Sequence, residues 1–338
     1  MSIKKVAQLA GVSTATVSRY LNSPEQVKEK TRSKVQSAID ETGYAPNALA
    51  RNFRRGKTSL IVVVLPSIGD PFLEKVMHGI WKVADELGYS ILIRDTQSNS
   101  HEFDEYTDMV FSKQADGILL LASISPYSEA EAQRGHGKAH PPLVLGLESV
   151  TTELTQFPSV RVDNVAAAAD GTEYLIQLGH ERIGFVAGKR DSLLTHDREK
   201  GYRQAMRKAK LKVEKDWVVE GEQTIDGARR ATRRLLTHEQ RPTAIFCAND
   251  EMALGAVHEI KSAGLKIPTD ISVIGFDDIR YAEVMDPPLT TIAQPAEEIG
   301  ERTMRRLVQA IEGSENDNSA EIVPHKLIVR KSTGNAPC

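Results

Sequence analysis

The chain has 338 residues, 40% of them hydrophobic and 26% charged, with a formal net charge of −3 and two cysteines. At roughly 100 to 200 residues per domain, two or three domains are expected. Apolar runs such as LIVVVL (60–65) and GILLLA (117–122) are far shorter than the roughly 18 residues that suggest a spanning helix, and IKKVAQLAG after Met1 does not read as a signal-peptide core. No membrane association is expected, the cytoplasm is the expected compartment, and Cys247 and Cys338 imply no disulfide framework.

The charge is unevenly spread. Residues 1–57 carry eleven Lys and Arg against four Asp and Glu, a surplus of seven, which leaves residues 58–338 ten charges negative. A small basic head on an acidic body suggests that the head meets a polyanion, the alternative being an ordinary basic surface.

Ser2 is placed to cap a first helix through Ala10, with Val6, Ala7, Leu9 and Ala10 turned inward, and Gly11 supplies the turn. Ser13 caps a second helix carrying Val17 and Leu21, which Asn22, Ser23 and Pro24 break. A third runs from about Glu29 to Thr42, with Val35, Ala38 and Ile39 apolar and Gly43 as terminator. This is helix-turn-helix spacing. Hydroxyls are mediocre inside helices, so GVSTATVSRYLN (11–22) needs a partner to explain its density of them. In such a motif the second helix enters the major groove, which places Thr14, Ala15 and Arg19 toward base edges and Ser13, Thr16 and Ser18 toward phosphate oxygens.

Next, NALARNFRRGK begins with Asn47 as a cap and offers about two helical turns ending in Arg51, Arg54 and Arg55. A helix this short is marginal alone, so folding against a partner and DNA is expected, with Phe53 as an apolar wedge between base steps. The alternative is a basic linker whose Phe53 packs on the body.

From Leu60 strands and helices alternate: LIVVVLP, the helix FLEKVMHGIWKVADELG, SILIRD, a helix through HEFDEYTDMVFSKQA, GILLLA and PPLVLGLE. A second series runs SVRVDN, VAAAADGTEYLIQLG, RIGFVAG, HDREKGYRQAMRKAK, DWVVEG, TIDGARRATRRLLTH, TAIFCAND, a helix to Ala263 and ISVIGFDD. The fold class is α/β, with an all-α head and two lobes of doubly wound parallel sheet. Ligands of such sheets sit beyond the carboxyl ends of strands, which directs attention to Ser67 to Phe72, Asp95, Glu148, Asp163, Arg198, Asn249, Asp250, Asp277, Asp278 and Gln294. Converging carboxylates, Arg and Asn suit a hydroxyl-rich ligand. Each has a plainer explanation: Asp277 and Asp278 cap a helix, Asp70-Pro71 makes a turn, and Arg198 lies on a solvated face.

Signals for chemistry are weak. GKT at 56–58 resembles the end of a phosphate loop, but Arg51 stands where the motif needs glycine. His136 and His140 lack a helix and a third ligand, so neither a metal nor a cofactor is expected. No nucleophile elbow is visible, and no enzymatic activity is expected.

VAQLAGVSTATVSRYLN, PNALARNFRRG, LGHERIGFVAG, TAIFCANDEMALGAV, DISVIGFDDI and PPLTTIAQP, in this order, resemble the lactose-repressor (LacI/GalR) family over nearly the whole chain. The resemblance implies a transcriptional repressor with a periplasmic-binding-protein-like body. It divides the chain into a helix-turn-helix domain (1–46), a hinge (47–58) and an effector-binding and dimerisation domain (59–338). The last comprises an N-lobe of about 59–160 and 293–322 and a C-lobe of about 161–292 and 323–332. The hinge contacts it implies are Asn47, Ala50, Arg51, Phe53 and Arg54, and the effector contacts are Asp70, Phe72, Glu148, Arg198, Asn249, Asp277 and Gln294. STATVSR, DPF, DGILLLAS and GFDDI followed by DPPLTTIAQP are most similar to repressors that answer to cytidine, which implies a nucleoside effector, with a purine or a sugar as alternatives.

The chain departs from the family at Phe53, usually Leu, and at Lys28, where many members place a capping Ser. Ending at Cys338, it lacks the tetramerising tail of some members, so a homodimer on a palindromic double-stranded operator is expected. The competing reading is a sugar- or nucleoside-binding transport or chemosensory protein, which leaves the basic head without a use.

Overall fold

The computed structural model describes residues 2–44, 57–96, 103–122, 141–147, 157–190, 192–313 and 319–337. It falls into two units, Met1–Ser59 and Leu60–Cys338.

The first unit is helical: α1 (Ile3–Ala10), α2 (Thr14–Asn22), a 3-10 turn at Pro24–Gln26 and α3 (Glu29–Thr42). Gly11 and Gly43 end α1 and α3 at φ of 64° and 58°, left-handed conformations that cost glycine little. Val6, Ala7, Ala10, Val17, Val35 and Ala38 close one small core. Two expectations fail here. Leu9 is 49% exposed, because it lies off the stripe formed by Val6, Ala7 and Ala10. Ser2 precedes α1 with extended backbone, but its side chain accepts no capping hydrogen bond. Lys28 likewise gives α3 no side-chain cap, leaving Glu29 in the first turn to complement the helix dipole.

The second unit holds two six-stranded sheets. The first is laid down by β1 (Leu60–Leu65), β2 (Ser90–Asp95), β3 (Gly117–Leu120), β4 (Leu143–Gly146) and β5 (Ser159–Arg161). The second comes from β6 (Ile183–Ala187), β7 (Val218–Glu220), β8 (Ala244–Cys247), β9 (Ser272–Asp277) and β10 (Thr290–Ala293). The chain then returns with β11 (Ala320–Ile322) beside β5 and finishes with β12 (Lys326–Ile328) beside β10. The orders are β11-β5-β4-β3-β1-β2 and β12-β10-β9-β8-β6-β7, every pairing parallel except β10 with β12. Ile61 to Leu65 are fully buried, as expected of a strand covered by helices on both faces.

The helices are α4 (Pro71–Leu87), α5 (Phe103–Phe111), α6 (Asn164–Gln177), α7 (Leu193–Lys208), α8 (Ile225–Leu236), α9 (Asp250–Ser262) and α10 (Ala296–Glu312). Helix α7 starts before the HDREK stretch because Ser192 caps it through the Thr195 amide. Helices α4 and α10 cross closely. A Cβ on Gly79 would lie 2.0 Å from the Glu297 carbonyl, and one on Gly300 would lie 2.0 Å from that of Val76. In each sheet the first strand is flanked by the second and third (β1 by β2 and β3, β6 by β7 and β8), so strand order reverses there and a crevice opens at the carboxyl ends.

Candidate functional site

On the head, Val17 anchors α2 in the core while Thr14, Ala15 and Arg19 are exposed. Ala15 and Arg19, four residues apart, share one helix face. Ser13 Oγ accepts from the Thr16 amide at 3.1 Å and so caps the helix start, and the Thr16 hydroxyl oxygen lies 2.9 Å from it. Ser18 is half-buried. Tyr20 donates to Gln36 Oε1 at 2.6 Å, fixing α2 against α3. The expected hinge contacts Asn47, Ala50, Arg51, Phe53 and Arg54 lie outside the described residues, as do Glu148, His136 and His140.

Strand ends of both sheets enclose a cavity of about 520 Å3. Asp70, Phe72, Arg198, Asn249, Asp277 and Gln294 all line it. Arg198, on α7, is only 6% exposed. Its Nε donates to Asn164 Oδ1 at 3.0 Å, Nη1 to the Ala248 carbonyl, and Nη2 to Asp277 Oδ1 at 3.3 Å. The guanidinium lies 3.7 Å from the centroid of Phe276, a cation–π contact. A guanidinium has five N–H donors, so three of them are engaged and two remain. Asp277 Oδ1 also accepts from Gln294 Nε2 at 2.7 Å.

Backbone geometry delivers Asp277. It ends β9 at φ 112° and Asp278 follows at 56°, both left-handed and costly for non-glycine residues. The surroundings hold them. Arg330 pairs with the Asp278 carboxylate at 2.8 Å, and Lys75 Nζ donates to its carbonyl at 2.7 Å. Burial pushes the Asp277 carboxyl up to about 7 against the pull of Arg198. Burial also raises Asp70, although the Phe72 amide donates to it at 2.8 Å.

The plainer explanations hold for some strand-end residues. Asp95 accepts from the Ile68 amide and Asp163 caps α6 through Ala166. Asp250 is fully buried, accepting from Thr291 Oγ1 at 2.6 Å and the Ile279 amide at 2.9 Å, and it does not line the cavity. Asp70 and Asn249 do both jobs, capping α4 and α9 while lining the cavity. Thr96, Lys189, Thr195, Gln223 and Glu251 also line it and were not expected. Thr96, Lys189 and Gln223 shortly follow β2, β6 and β7, so the strand-end rule applied to every strand would have found them.

Among the described residues no group of three or more His, Cys, Asp or Glu could hold a metal ion, and no helix is long and apolar enough to cross a membrane. Residues 2–47 match the model for bacterial regulatory proteins of the lacI family, and 172–333 match a periplasmic binding protein-like domain. The chain is 40% identical over 337 residues to the HTH-type transcriptional repressor CytR of Escherichia coli strain K12, covering 99% of this chain and 97% of that one. It is 35% identical to the catabolite control protein A of Priestia megaterium, over 98% of this chain and 99% of that protein. A solved Lac repressor dimer bound to operator and the anti-inducer ONPF superposes with a TM-score of 0.88 at 28% identity, over 99% of each chain. The exposed recognition helix, the paired parallel sheets and these likenesses agree: the chain belongs to the lacI family of bacterial regulatory proteins and is a DNA-binding transcriptional repressor, not an enzyme.

Proposed function

We propose that the chain works in the cytoplasm as a homodimer on a palindromic operator and that a nucleoside such as cytidine, held in the cleft, controls it. In the head, Thr14, Ala15 and Arg19 read base edges while Ser13, Thr16 and Ser18 contact phosphates; Asn47, Ala50, Arg51, Phe53 and Arg54 form the hinge at the minor groove. One proton of the Ser13–Thr16 hydroxyl pair is used between the two oxygens, and the other is left to donate to a phosphate oxygen of DNA.

In the cleft, Arg198 and Asp277 grip the ribose hydroxyls, with Asn249 and Gln294 beside them and Glu148 as a further contact. Phe72 and Leu121 offer the base an apolar wall. The observation that carries this reading is the buried Arg198–Asp277–Gln294 network at the cavity. Charge narrows the ligand class. Asp70, Glu222, Glu251 and Asp277 line the cavity against Lys189 and Arg198, an acidic surplus that disfavours the phosphates of a nucleotide and accepts a neutral nucleoside.

A neutral ligand spanning both lobes shifts operator affinity by as much as it prefers one lobe arrangement, typically about 1 to 3 kcal/mol. The test is calorimetric titration of the full chain with cytidine, adenosine, guanine and ribose, paired with operator binding in the presence of each. Saturable cytidine binding that changes operator affinity is expected. Binding of ribose or guanine alone, with cytidine inert, overturns the nucleoside assignment.

A further inference from the structure

The three residues after Asp277 all engage the other sheet's side of the body. Helix α4 packs with β1 in one apolar cluster, and Ile279, only 3% exposed, is buried in that cluster with Phe72, Leu73 and Val76 of α4. On either side of it, the Asp278 carbonyl accepts from Lys75 Nζ at 2.7 Å and Arg280 Nη1 donates to Glu74 Oε1 at 3.0 Å. The second sheet keeps its own hold on the same segment. The Ile279 amide donates to Oδ2 of the fully buried Asp250 at 2.9 Å, Asp250 Oδ1 accepts from Thr291 on β10, and Arg330 pairs with the Asp278 carboxylate at 2.8 Å. Left-handed backbone at Asp277 and Asp278, φ 112° and 56°, is costly and persists because contacts on both sides over-determine it.

Helix α4 meets the cavity with Asp70 and Phe72, and Glu74 and Lys75 lie within one turn of Phe72. One helix thus touches the site at its start and holds the peptide behind Asp277 immediately afterwards. We infer that Lys75 and Ile279 form a clasp through which α4 positions Asp277, so that a ligand gripped by Asp277 is felt on the first sheet's side through residues 278–280. This rests on the reading of the cleft as the effector site and names the contact that couples it to the rest of the chain. The members contribute differently. Ile279 supplies apolar burial, which survives small shifts within its cluster. The Lys75 bond is directional and is lost once its two atoms separate by about 1 Å more, so it depends on how the two sheets are placed. The Arg280–Glu74 pair is exposed and adds little.

Coupling is the readout, because a merely structural role changes stability and leaves coupling alone. It is the ratio of operator dissociation constants with and without saturating cytidine, measured on the full chain for wild type, Lys75→Met and Lys82→Met. Lys82, about two turns further along α4, bonds Glu301 of α10 at 2.7 Å on the first sheet's own side, so its variant controls for the loss of a lysine contact from this helix. The expected ratio is at least about 3-fold closer to one in Lys75→Met and within about 2-fold of wild type in Lys82→Met. A Lys75→Met ratio within about 2-fold of wild type overturns the clasp, and so does an equal fall in Lys82→Met. A wild type that answers to adenosine, guanine or ribose and not to cytidine overturns the cytidine assignment alone, and the same ratio measured with that ligand decides the clasp. A wild type whose operator binding answers to none of the four overturns both.

Discussion

Arg198 Nη2 lies 3.3 Å from Asp277 Oδ1, and the two side chains are 7% and 9% exposed. The pair joins the middle of α7 to the end of β9 and places charge on the side of the cavity formed by the second sheet. Desolvated pairs of this kind add little net stability when intact, yet breaking one strands a charge.

Arg198→Ala therefore lowers stability by about 3 to 5 kcal/mol, measured by urea unfolding. It leaves the Asn164 side-chain oxygen and the Ala248 carbonyl without the donor they had and leaves Asp277 with Gln294 alone in place of a cation. Arg198→Lys does not rescue the loss, because one ammonium cannot replace a planar fork aimed at three acceptors. Assayed well below its melting temperature, the Ala variant keeps operator affinity near wild type and no longer responds to the effector. A stability within about 0.5 kcal/mol of wild type is incompatible with the network described.

Asp277→Asn carries a pH signature. The folded-state value, pushed up to about 7 from 3.8, means that the native protein binds this proton more tightly than the unfolded chain. The stability that Asp277 contributes is thus complete below pH 3.8 and is lost as pH rises through about 7. The melting temperature of Asp277→Asn minus that of wild type should climb from pH 4 to pH 7.5 and level off beyond. A difference that stays flat across the range shows that the carboxylate is ionised throughout.

The sheets and the head were legible because strands covered on both faces leave runs such as LIVVVL, and because glycine and serine mark the helix ends at Gly11, Ser13 and Gly43. What the sequence could not separate is a carboxylate that faces the cavity from one that ties down backbone. Asp250 and Asp277 both follow or end strands, and only the fold shows the first engaged by Thr291 and Ile279 and the second by Arg198. Leu9 shows the limit of apolar pattern alone in a helix of eight residues.

At the head, Arg19→Ala should weaken specific operator binding by about 1 to 3 kcal/mol and relax preference at one base pair per half-site. Arg19 is exposed on the face it shares with Ala15, as a base-reading side chain requires. Thr16→Ala weakens all sequences alike, since its hydroxyl meets only Ser13 and, in the proposal, phosphate. Fluorescence anisotropy on operator and random duplex at matched salt separates the two. Equal losses on both duplexes for Arg19→Ala show a backbone contact instead.

His180 sets a second pH dependence, of the opposite sign to that of Asp277. It is fully buried, with Nε2 3.0 Å from the Gly334 carbonyl and Nδ1 2.9 Å from Thr243 Oγ1. A carbonyl only accepts, so Nε2 carries the hydrogen and neutral Nδ1 takes one from Thr243. Through Gly334 the ring fastens the chain's last residues to the second sheet, where Ser272 Oγ donates to the same carbonyl. Protonation would put a charge into a site shut off from water, and burial lowers the His180 value despite the favourable carbonyl. With the folded value below the unfolded one of 6.5, the neutral ring contributes stability that is present above pH 6.5 and is lost as pH falls through the folded value. Each unit of lowering is worth about 1.4 kcal/mol. Wild type should therefore lose more melting temperature between pH 7.5 and pH 5 than His180→Gln, which is less stable at pH 7.5 but has no proton to take up. Parallel melting curves for the two proteins across that range would show that the His180 ring titrates as freely in the folded state as in the unfolded one.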